Sequence, residues 1–270
     1  MPVALKTYDR LRDAVAALGS ETGSRYLGGG TLLVRNLIEG SVQASSMIRS
    51  TERSMTEIRP AGGRITVGAG VTMAQIAAHP DLKFLAPVAR TIGGPAIRNM
   101  ATVGGNLFAP YPYGDFAVAM LALEATVSVQ SGYSPRDTAL DEFLLSADRG
   151  NRAVVAAITF RRPESDRAFR YVKMSRTHPK GASVVSIAAH LPASGGRLSS
   201  PRVAYGAMAP TAIRAKAVEA ALNGKTLDEA GIAQALAVAT EGCHPQTDPF
   251  ASDWYRREVL PVYLKRLLLS

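Results

Sequence analysis

A glycine-rich run near the middle of the chain constrains the fold more than any other segment. Residues 91–107 read TIGGPAIRNMATVGGNL, with Gly93-Gly94 and Gly104-Gly105 near the two ends. Glycine weakens both helices and strands, so the run predicts an ordered loop rather than a regular element. Backbone donors and small side chains of such a loop line a ligand. A structural loop without a ligand is the alternative.

A shorter glycine cluster lies near the start of the chain. Gly28-Gly29-Gly30-Thr31 stands between a strand predicted at residues 25–27 and a helix predicted at residues 32–38. Glycines let the backbone approach a phosphate, and the amides at the start of a helix favour an anion. The cluster lacks both the dinucleotide fingerprint and the P-loop lysine. A tight turn is an equally good interpretation of this cluster alone.

Length and composition limit the class of protein. The 270 residues suffice for one large domain or two modest ones, and 47% are hydrophobic, as in globular proteins. No apolar run approaches the ~20 residues of a membrane span, and the first twelve residues do not resemble a secretory signal. We therefore expect a cytoplasmic protein without a membrane span.

The single cysteine and the basic charge exclude further classes. One cysteine, Cys243, excludes internal disulfides and an iron–sulfur cluster held by this chain alone, and the pair Cys243-His244 lacks a third metal ligand. The net charge of +9 leaves nucleic acid open, but the basic residues are scattered. We expect no metal and no nucleic acid, and a basic surface that is solvated or docks an acidic partner.

Hydrophobic periodicity predicts a mixed chain with boundaries near residues 60 and 165. Thr72 and Gln75 are spaced as a capping box, and Asp115 is predicted to cap the following helix. Residues 131–151 are predicted to be largely loop. The predicted helices are 9–18, 32–38, 72–79, 82–91, 115–123, 213–222, 227–240 and 252–268. The predicted strands are 25–27, 47–49, 57–59, 64–69, 126–130, 153–160, 169–174, 184–191 and 202–206.

The two glycine-rich stretches together resemble the FAD-binding medium subunits of the xanthine dehydrogenase and aerobic carbon monoxide dehydrogenase family. That family carries a motif close to Ala-Gly-Gly-Thr-Asp-Leu and, later, one close to Ile-Arg-Asn-x-Ala-Thr-Val-Gly-Gly-Asn-Leu. The chain matches the second motif nearly throughout, from Ile97 to Leu107. It matches the first at Gly29, Gly30, Thr31 and Leu33 and departs from it at Gly28 and Leu32.

The resemblance continues to the C-terminus. Residues 171–176 are similar to the family strand that brings a lysine to the flavin, and residues 206–210, 219–225 and 251–257 are similar to the family's C-terminal domain. Residues 178–183 depart from the family pattern. Similarity therefore extends over nearly the whole chain.

The resemblance implies the fold and the cofactor site. The expected class is α+β: a two-subdomain FAD-binding fold of the PCMH type over residues 1–165, with subdomains of about 1–60 and 61–165. A C-terminal domain of a three-stranded antiparallel sheet and three helices follows over residues 166–270. FAD would lie extended between the two subdomains and the C-terminal domain. The implied FAD contacts are Leu27, Gly28, Gly29, Gly30, Thr31, Leu32, Leu33, Ile92, Thr102, Val103, Gly104, Gly105, Asn106, Asp115 and Lys173.

The implied roles differ along that set. Gly28 to Thr31 and Thr102 to Asn106 would cradle the pyrophosphate and ribityl, and Ile92 would lie against the adenine. Asp115 would bond a ribose hydroxyl or a nearby polar atom. Lys173 would lie near the isoalloxazine, where a cation raises the flavin potential.

No residue has the setting of a general acid, a base or a nucleophile, so we predict no catalytic side chain. Members of the family associate with an iron–sulfur small subunit that holds two [2Fe-2S] clusters and with a large molybdopterin subunit, often as a dimer of heterotrimers. Electrons would pass through the clusters to FAD and then to an external acceptor. Two alternatives stay open: a free-standing flavin-dependent oxidoreductase, and a basic scaffold or nucleic-acid-binding protein that has lost FAD.

Overall fold

The backbone divides into two units, each built from separate stretches of chain. The computed structural model describes residues 3–132, 134–146, 154–177 and 181–270. The first unit comprises residues 1–76, 94–109 and 125–161, and the second comprises residues 77–93, 110–124 and 162–270. The domain limits near residues 60 and 165 stay predictions.

A small parallel sheet opens the first unit. Its strands β1 (Ala4–Tyr8), β2 (Ser24–Tyr26) and β3 (Ser46–Ser50) lie in the order β1-β3-β2, with both pairs parallel. Parallel neighbours need crossover connections, which α1 (Leu11–Ser20) and α2 (Leu33–Ile38) supply. The buried residues of α1, Leu11, Ala14, Val15 and Leu18, form one helical face.

One strand of this sheet was missed in the sequence analysis, and the end of one helix was misplaced. Strand β1 was not predicted, because its residues are exposed or half-buried and show no alternation of apolar and polar types. Helix α1 continues through Gly19, which was predicted to stop it, and ends at Ser20. A Cβ added at Gly19 would meet nothing within 4 Å, so the position has room for a small side chain.

A five-stranded antiparallel sheet forms the rest of the first unit. Its strand order is β4-β5-β8-β6-β7. Ile65, Val67, Ile158 and Phe160 alternate along their strands and are fully buried. The turn between the first two strands has positive φ at Gly62 and Gly63, as the predicted turn requires. The strands are β4 (Ile58–Ala61), β5 (Arg64–Gly68), β6 (Thr126–Gln130), β7 (Pro135–Ala139) and β8 (Val154–Arg161).

Short helices lie where loops were predicted. The glycine-rich run contains α5 (Pro95–Met100) and α6 (Val103–Leu107), and α8 (Leu140–Leu145) follows β7 in the segment predicted to be largely loop. Each helix is only five or six residues long, too short for periodicity to reveal. Residues 133 and 147–151 of that segment, together with Arg152 and with Ala153 of the predicted strand, lie outside the described residues.

The helix α3 (Met73–Ala78) begins with the predicted capping box. The Thr72 amide donates to Gln75 Oε1 at 2.8 Å, and the Gln75 amide donates to Thr72 Oγ1 at 3.3 Å. Two amides at the start of the helix are thereby satisfied reciprocally. The prediction of a capping box is confirmed.

The second unit is an antiparallel sheet with helices. The strands β9 (Phe169–Ser175), β10 (Ser183–His190), β13 (Arg202–Gly206) and β14 (Ile213–Arg214) lie in the order β14-β13-β10-β9. The first three correspond to predicted strands, and the two-residue β14 was predicted as helix. Between β10 and β13, β11 (Ala193–Ser194) and β12 (Arg197–Leu198) form a separate hairpin.

Three C-terminal helices follow, as predicted, and they share a hydrophobic core with this sheet. They are α9 (Lys216–Leu222), α10 (Glu229–Ala237) and α11 (Asp253–Leu268). Val185, Ile187 and Tyr205 from the sheet are buried together with Leu260 and Leu264 of α11. The unit also contains a 3₁₀ helix (Pro80–Leu85), α4 (Ala86–Arg90) and α7 (Asp115–Ala122). No helix in the described ranges is long and apolar enough to cross a bilayer.

Candidate functional site

The first glycine cluster packs against the end of α5. A Cβ added at Gly29 would overlap the carbonyl oxygen of Met100, and a Cβ at Gly28 would lie 3.1 Å from Thr102 Oγ1. Gly30 has φ +75°, a conformation that glycine adopts without strain. The cluster must therefore be small-residue backbone, because side chains would push it away from residues 100–102.

The amides of this cluster are free to bind a ligand. Among the described residues, the backbone N–H groups of residues 28–32 donate no hydrogen bond. The flanking Leu27 and Val34 amides do donate, to Ile48 O at 2.7 Å and to Gly30 O at 2.9 Å. Gly28 is exposed and residues 29–32 are half-buried, so a ligand can reach their amides, and successive unpaired amides favour an anion. The cluster therefore presents a row of unused donors.

The second glycine motif uses its amides internally. The amides of Val103 and Gly104 donate to Val71 O and Ala69 O, both at 2.8 Å, and the Gly105 amide donates to Thr102 Oγ1 at 3.1 Å. Thr102 is the N-cap of α6, and its hydroxyl oxygen, which accepts from the Gly105 amide, is the atom that a Cβ at Gly28 would approach to 3.1 Å. The second motif thus fixes the wall that the first cluster packs on.

The predicted site residues of the first unit divide into two kinds. Gly28 and Gly29 meet residues 100–102, and Thr31 is half-buried beside them. Val103 and Asn106 are buried, and Gly104 is buried where a Cβ would lie 2.9 Å from the Ala69 Cβ, so these three residues shape the loop. Leu32 is the N-cap of α2 and makes no side-chain cap, and Leu33 begins that helix.

A buried ion pair forms a separate candidate site within the second unit. Lys173 Nζ lies 2.7 Å from Asp115 Oδ2, and the two side chains are 4% and 5% exposed. Ser183 Oγ donates to the other carboxylate oxygen at 2.6 Å, and Lys173 also donates to Thr91 O at 3.2 Å. Two predicted site residues, Asp115 and Lys173, are thus in contact, and a third, Ile92, follows Thr91 in the chain.

The prediction that Asp115 caps α7 was wrong. The N-cap is Gly114, whose φ of 101° lies in the left-handed region, and Asp115 is the first residue of the helix. Its carboxylate turns away from the helix amides because Lys173 and Ser183 both donate to it. The charge of the lysine is therefore balanced inside the protein.

A tyrosine adds a neutral donor beside the pair. The Tyr171 hydroxyl lies 3.4 Å from Thr91 Oγ1. Burial, and then the charge of the Asp115 carboxylate, raise the pKa of Tyr171 well above its ordinary value. Tyr171 consequently stays protonated and can only act as a hydroxyl.

A buried arginine, which the sequence did not single out, holds the strand that carries Ser183. Arg256 of α11 is fully buried; its Nη1 donates to Ser183 O at 2.9 Å and to Val184 O at 2.6 Å. Its Nη2 lies 2.6 Å from Asp248 Oδ2, and its guanidinium lies 5.3 Å from the ring centre of Tyr111. Arg256 was included in the sequence analysis only as part of the segment 251–257, because the sequence does not reveal that a single polar residue is buried.

The comparisons with known proteins cover the whole of this architecture. The family model described as the FAD binding domain in molybdopterin dehydrogenase matches residues 5–160. The model described as the CO dehydrogenase flavoprotein C-terminal domain matches residues 169–270.

Individual relatives extend over nearly the full chain. The glyceraldehyde dehydrogenase medium chain of Sulfolobus acidocaldarius is 26% identical, covering 94% of this chain and 92% of its own. The carbon monoxide dehydrogenase medium chain of Hydrogenophaga pseudoflava is 25% identical, covering 95% and 92%. A chain of quinoline 2-oxidoreductase from Pseudomonas putida superposes with a TM-score of 0.89 at 25% identity, over 100% of this chain and 96% of that one.

Proposed function

Because the chain belongs to the FAD-binding medium subunits of the molybdenum hydroxylases, we propose that it passes electrons from a partner iron–sulfur protein through FAD to an external acceptor. The observation that carries the proposal is the row of free amides at residues 28–32, which lies inside the matched FAD-binding domain. When bound, FAD supplies the electron-transfer chemistry.

The glycine cluster is the proposed pyrophosphate site. The free amides of residues 28–32 suit phosphate oxygens, because backbone N–H groups that converge on a concavity favour an anion. The hydroxyls of Thr31 and Thr102 would donate to the same group. The proposal includes two groups of supporting residues. The segment behind the glycine cluster comprises Gly104, Gly105 and Asn106. The residues that flank the site and hold its backbone in place are Leu27, Leu32, Leu33 and Val103.

Three residues of the second unit are proposed to contact the cofactor because the chain resembles the medium subunits of this family. These are Ile92, Asp115 and Lys173. The buried pair supports an electrostatic role for Lys173 in combination with Asp115, because the carboxylate 2.7 Å away offsets most of the ammonium charge. We therefore propose that Lys173 acts through its hydrogen bond and its fixed position more than through net charge.

The proposed assembly follows from the subunit type. Relatives carry names such as medium chain and FAD-binding subunit, which describe one component of a larger enzyme. We propose an iron–sulfur small subunit with two [2Fe-2S] clusters and a molybdopterin large subunit as partners, assembled as a dimer of heterotrimers. The proposed domain limits, 1–165 and 166–270 with a subdomain limit near residue 60, belong to the same proposal.

Purification of the complex from the native host through a tag on this chain tests the function. We expect flavin and iron–sulfur absorbance together, with two co-purifying partners. Flavin bands without partners would overturn the electron-transfer role in favour of a free-standing oxidoreductase. Absence of flavin from the chain in every preparation would overturn the cofactor site itself.

A matched pair of glycine variants tests the cradle. Gly29→Ala places a Cβ on the Met100 carbonyl and should release FAD, because residues 28–32 must move. Gly19→Ala, in the same unit, meets no atom within 4 Å and should keep the full FAD content. Equal FAD content in the two purified variants would contradict the proposed cradle.

A further inference from the structure

A second cleft opens at the parallel sheet of the first unit. It has a volume of about 360 Å³ and lies where β1 and β3 end, between the start of α1 and the five-stranded sheet. Ser128, Gln130, Ala156 and Ala157 form its floor, and Leu11 and Pro135 add apolar surface. Ligands of α/β proteins bind beyond the carboxyl ends of parallel strands, and this volume falls in the range of small-molecule sites.

Three arginines give the cleft a positive charge. Arg10, Arg12 and Arg59 line it together with one carboxylate, Glu52, a net charge of +2. Both oxygens of Glu52 are already engaged, one by the Leu11 amide at 2.7 Å and the other by Ser54 Oγ at 2.7 Å. Glu52 therefore holds the backbone at the start of α1, and it forms no ion pair with Arg10, Arg12 or Arg59.

The arginines are weakly paired. Arg10 makes no ion pair with any described residue; Arg12 lies 3.3 Å from Asp13, and Arg59 lies 3.6 Å from Glu57. The side chains of Arg12 and Arg59 are 53% and 52% exposed. Exposed ion pairs contribute little free energy, so a bound anion could replace these contacts at small cost. All three guanidinium groups are thus available to an incoming anion.

We propose that this cleft binds a phosphorylated small molecule of about nucleotide size. Its phosphates would meet the guanidinium groups of Arg10, Arg12 and Arg59, which match phosphate geometry better than lysines do. Its organic part would lie over the apolar surface of Ala157 and Pro135. Ser128 and Gln130 provide polar contacts at the floor.

The cleft is separate from the glycine cradle. The cradle follows β2, whereas Arg10 follows β1, and β3 lies between those two strands. The chain after β3 packs closely on the larger sheet: the Gly70 amide donates to Met55 O at 2.7 Å, and a Cβ at Gly68 would overlap the Met55 backbone. No residue lines both sites, so the proposal does not depend on the FAD assignment.

Calorimetric titration of the FAD-loaded protein with ADP tests the proposal. We expect saturable binding that weakens as salt rises, and at least about a tenfold loss of affinity in the double variant R10A/R59A. Arg64→Ala, an exposed arginine outside the cleft, is the control and should leave ADP binding unchanged. Equal weakening by the control, or no saturable binding of ADP, would overturn the proposal.

Two further variants keep the test independent of folding and of FAD. Ala157→Leu fills the cleft without changing charge and should also weaken ADP binding, while circular dichroism reports the fold. Gly29→Ala should lose FAD and keep ADP binding. Unchanged affinity in Ala157→Leu, or loss of ADP binding together with FAD, would count against a separate site.

Discussion

The Lys173 ammonium and the Asp115 carboxylate form a buried ion pair at 2.7 Å, with each side chain at most 5% exposed. Lys173 belongs to β9 and Asp115 to α7, a helix that packs on the neighbouring strands β10 and β13, so the pair joins the helix to the edge strand of the sheet. Such a pair constrains geometry more than it adds stability, because both charges have left water.

Removing one charge of this pair should destabilise the protein strongly. Asp115→Asn leaves the buried ammonium uncompensated, and we expect a loss of about 3–5 kcal/mol in the free energy of unfolding. The double variant D115L/K173M should recover a large part of that loss. Urea unfolding of the two single variants and the double variant measures the coupling, and a strictly additive result would contradict a direct interaction.

Substitution of Arg256 should destabilise the fold much more than the same substitution of its neighbour Arg257. Arg256→Met removes the donors of Ser183 O and Val184 O and leaves Asp248 unpaired, so we expect a loss of about 3–5 kcal/mol. Arg256→Lys should recover only part, because one ammonium cannot reproduce the guanidinium fork. Thermal unfolding of these variants beside Arg257→Met checks this; equal effects at 256 and 257 would contradict it.

The Thr102 hydroxyl should matter to both helix α6 and cofactor content. Thr102→Val keeps the shape but removes the acceptor of the Gly105 amide, which should cost about 1 kcal/mol and weaken FAD binding. Thr102→Ser keeps the oxygen and should behave as the parent protein. Titration of the apo-proteins with FAD, monitored by flavin fluorescence, compares the affinities of the Thr102→Val and Thr102→Ser variants. Similar affinities would contradict a role of the Thr102 hydroxyl in FAD binding.

Stability should fall at alkaline pH through Cys243. Burial raises the pKa of this thiol from 9.0 to about 11, so the folded state holds the proton more tightly than the unfolded chain. The stabilising contribution is therefore complete below pH 9 and is lost as the pH rises to about 11. Urea unfolding between pH 8 and 11 should show a steeper decline for the parent than for Cys243→Ala. Parallel declines would show that another group is responsible.

The local motifs could be predicted because their structures are determined by residues that are close together in the sequence. The capping box of Thr72 and Gln75, the turn at Gly62-Gly63 and the strand–glycine–helix order around residue 29 all depend on contacts close in sequence. The resemblance to known medium subunits added the order of the domains.

The missing parts depend on contacts distant in sequence. Asp115 was expected to cap a helix, as its type and position favour, but Lys173 and Ser183 compete for its oxygens from 58 and 68 residues away. Arg256 is fully buried because Asp248 and two β10 carbonyls surround it, which no periodicity reveals. Strand β7 pairs through its backbone alone, since four of its five residues are exposed.

The order of the five-stranded sheet affects how readily copies of the chain could aggregate through their strand edges. Strands β4 and β7 are its two borders, and each contains a proline, Pro60 and Pro135. Proline lacks an amide hydrogen, and β7 adds Arg136 and Asp137, so neither border can recruit a strand from another copy by an unbroken ladder. Both borders of the sheet are thereby protected from fibril-like growth between copies of the chain.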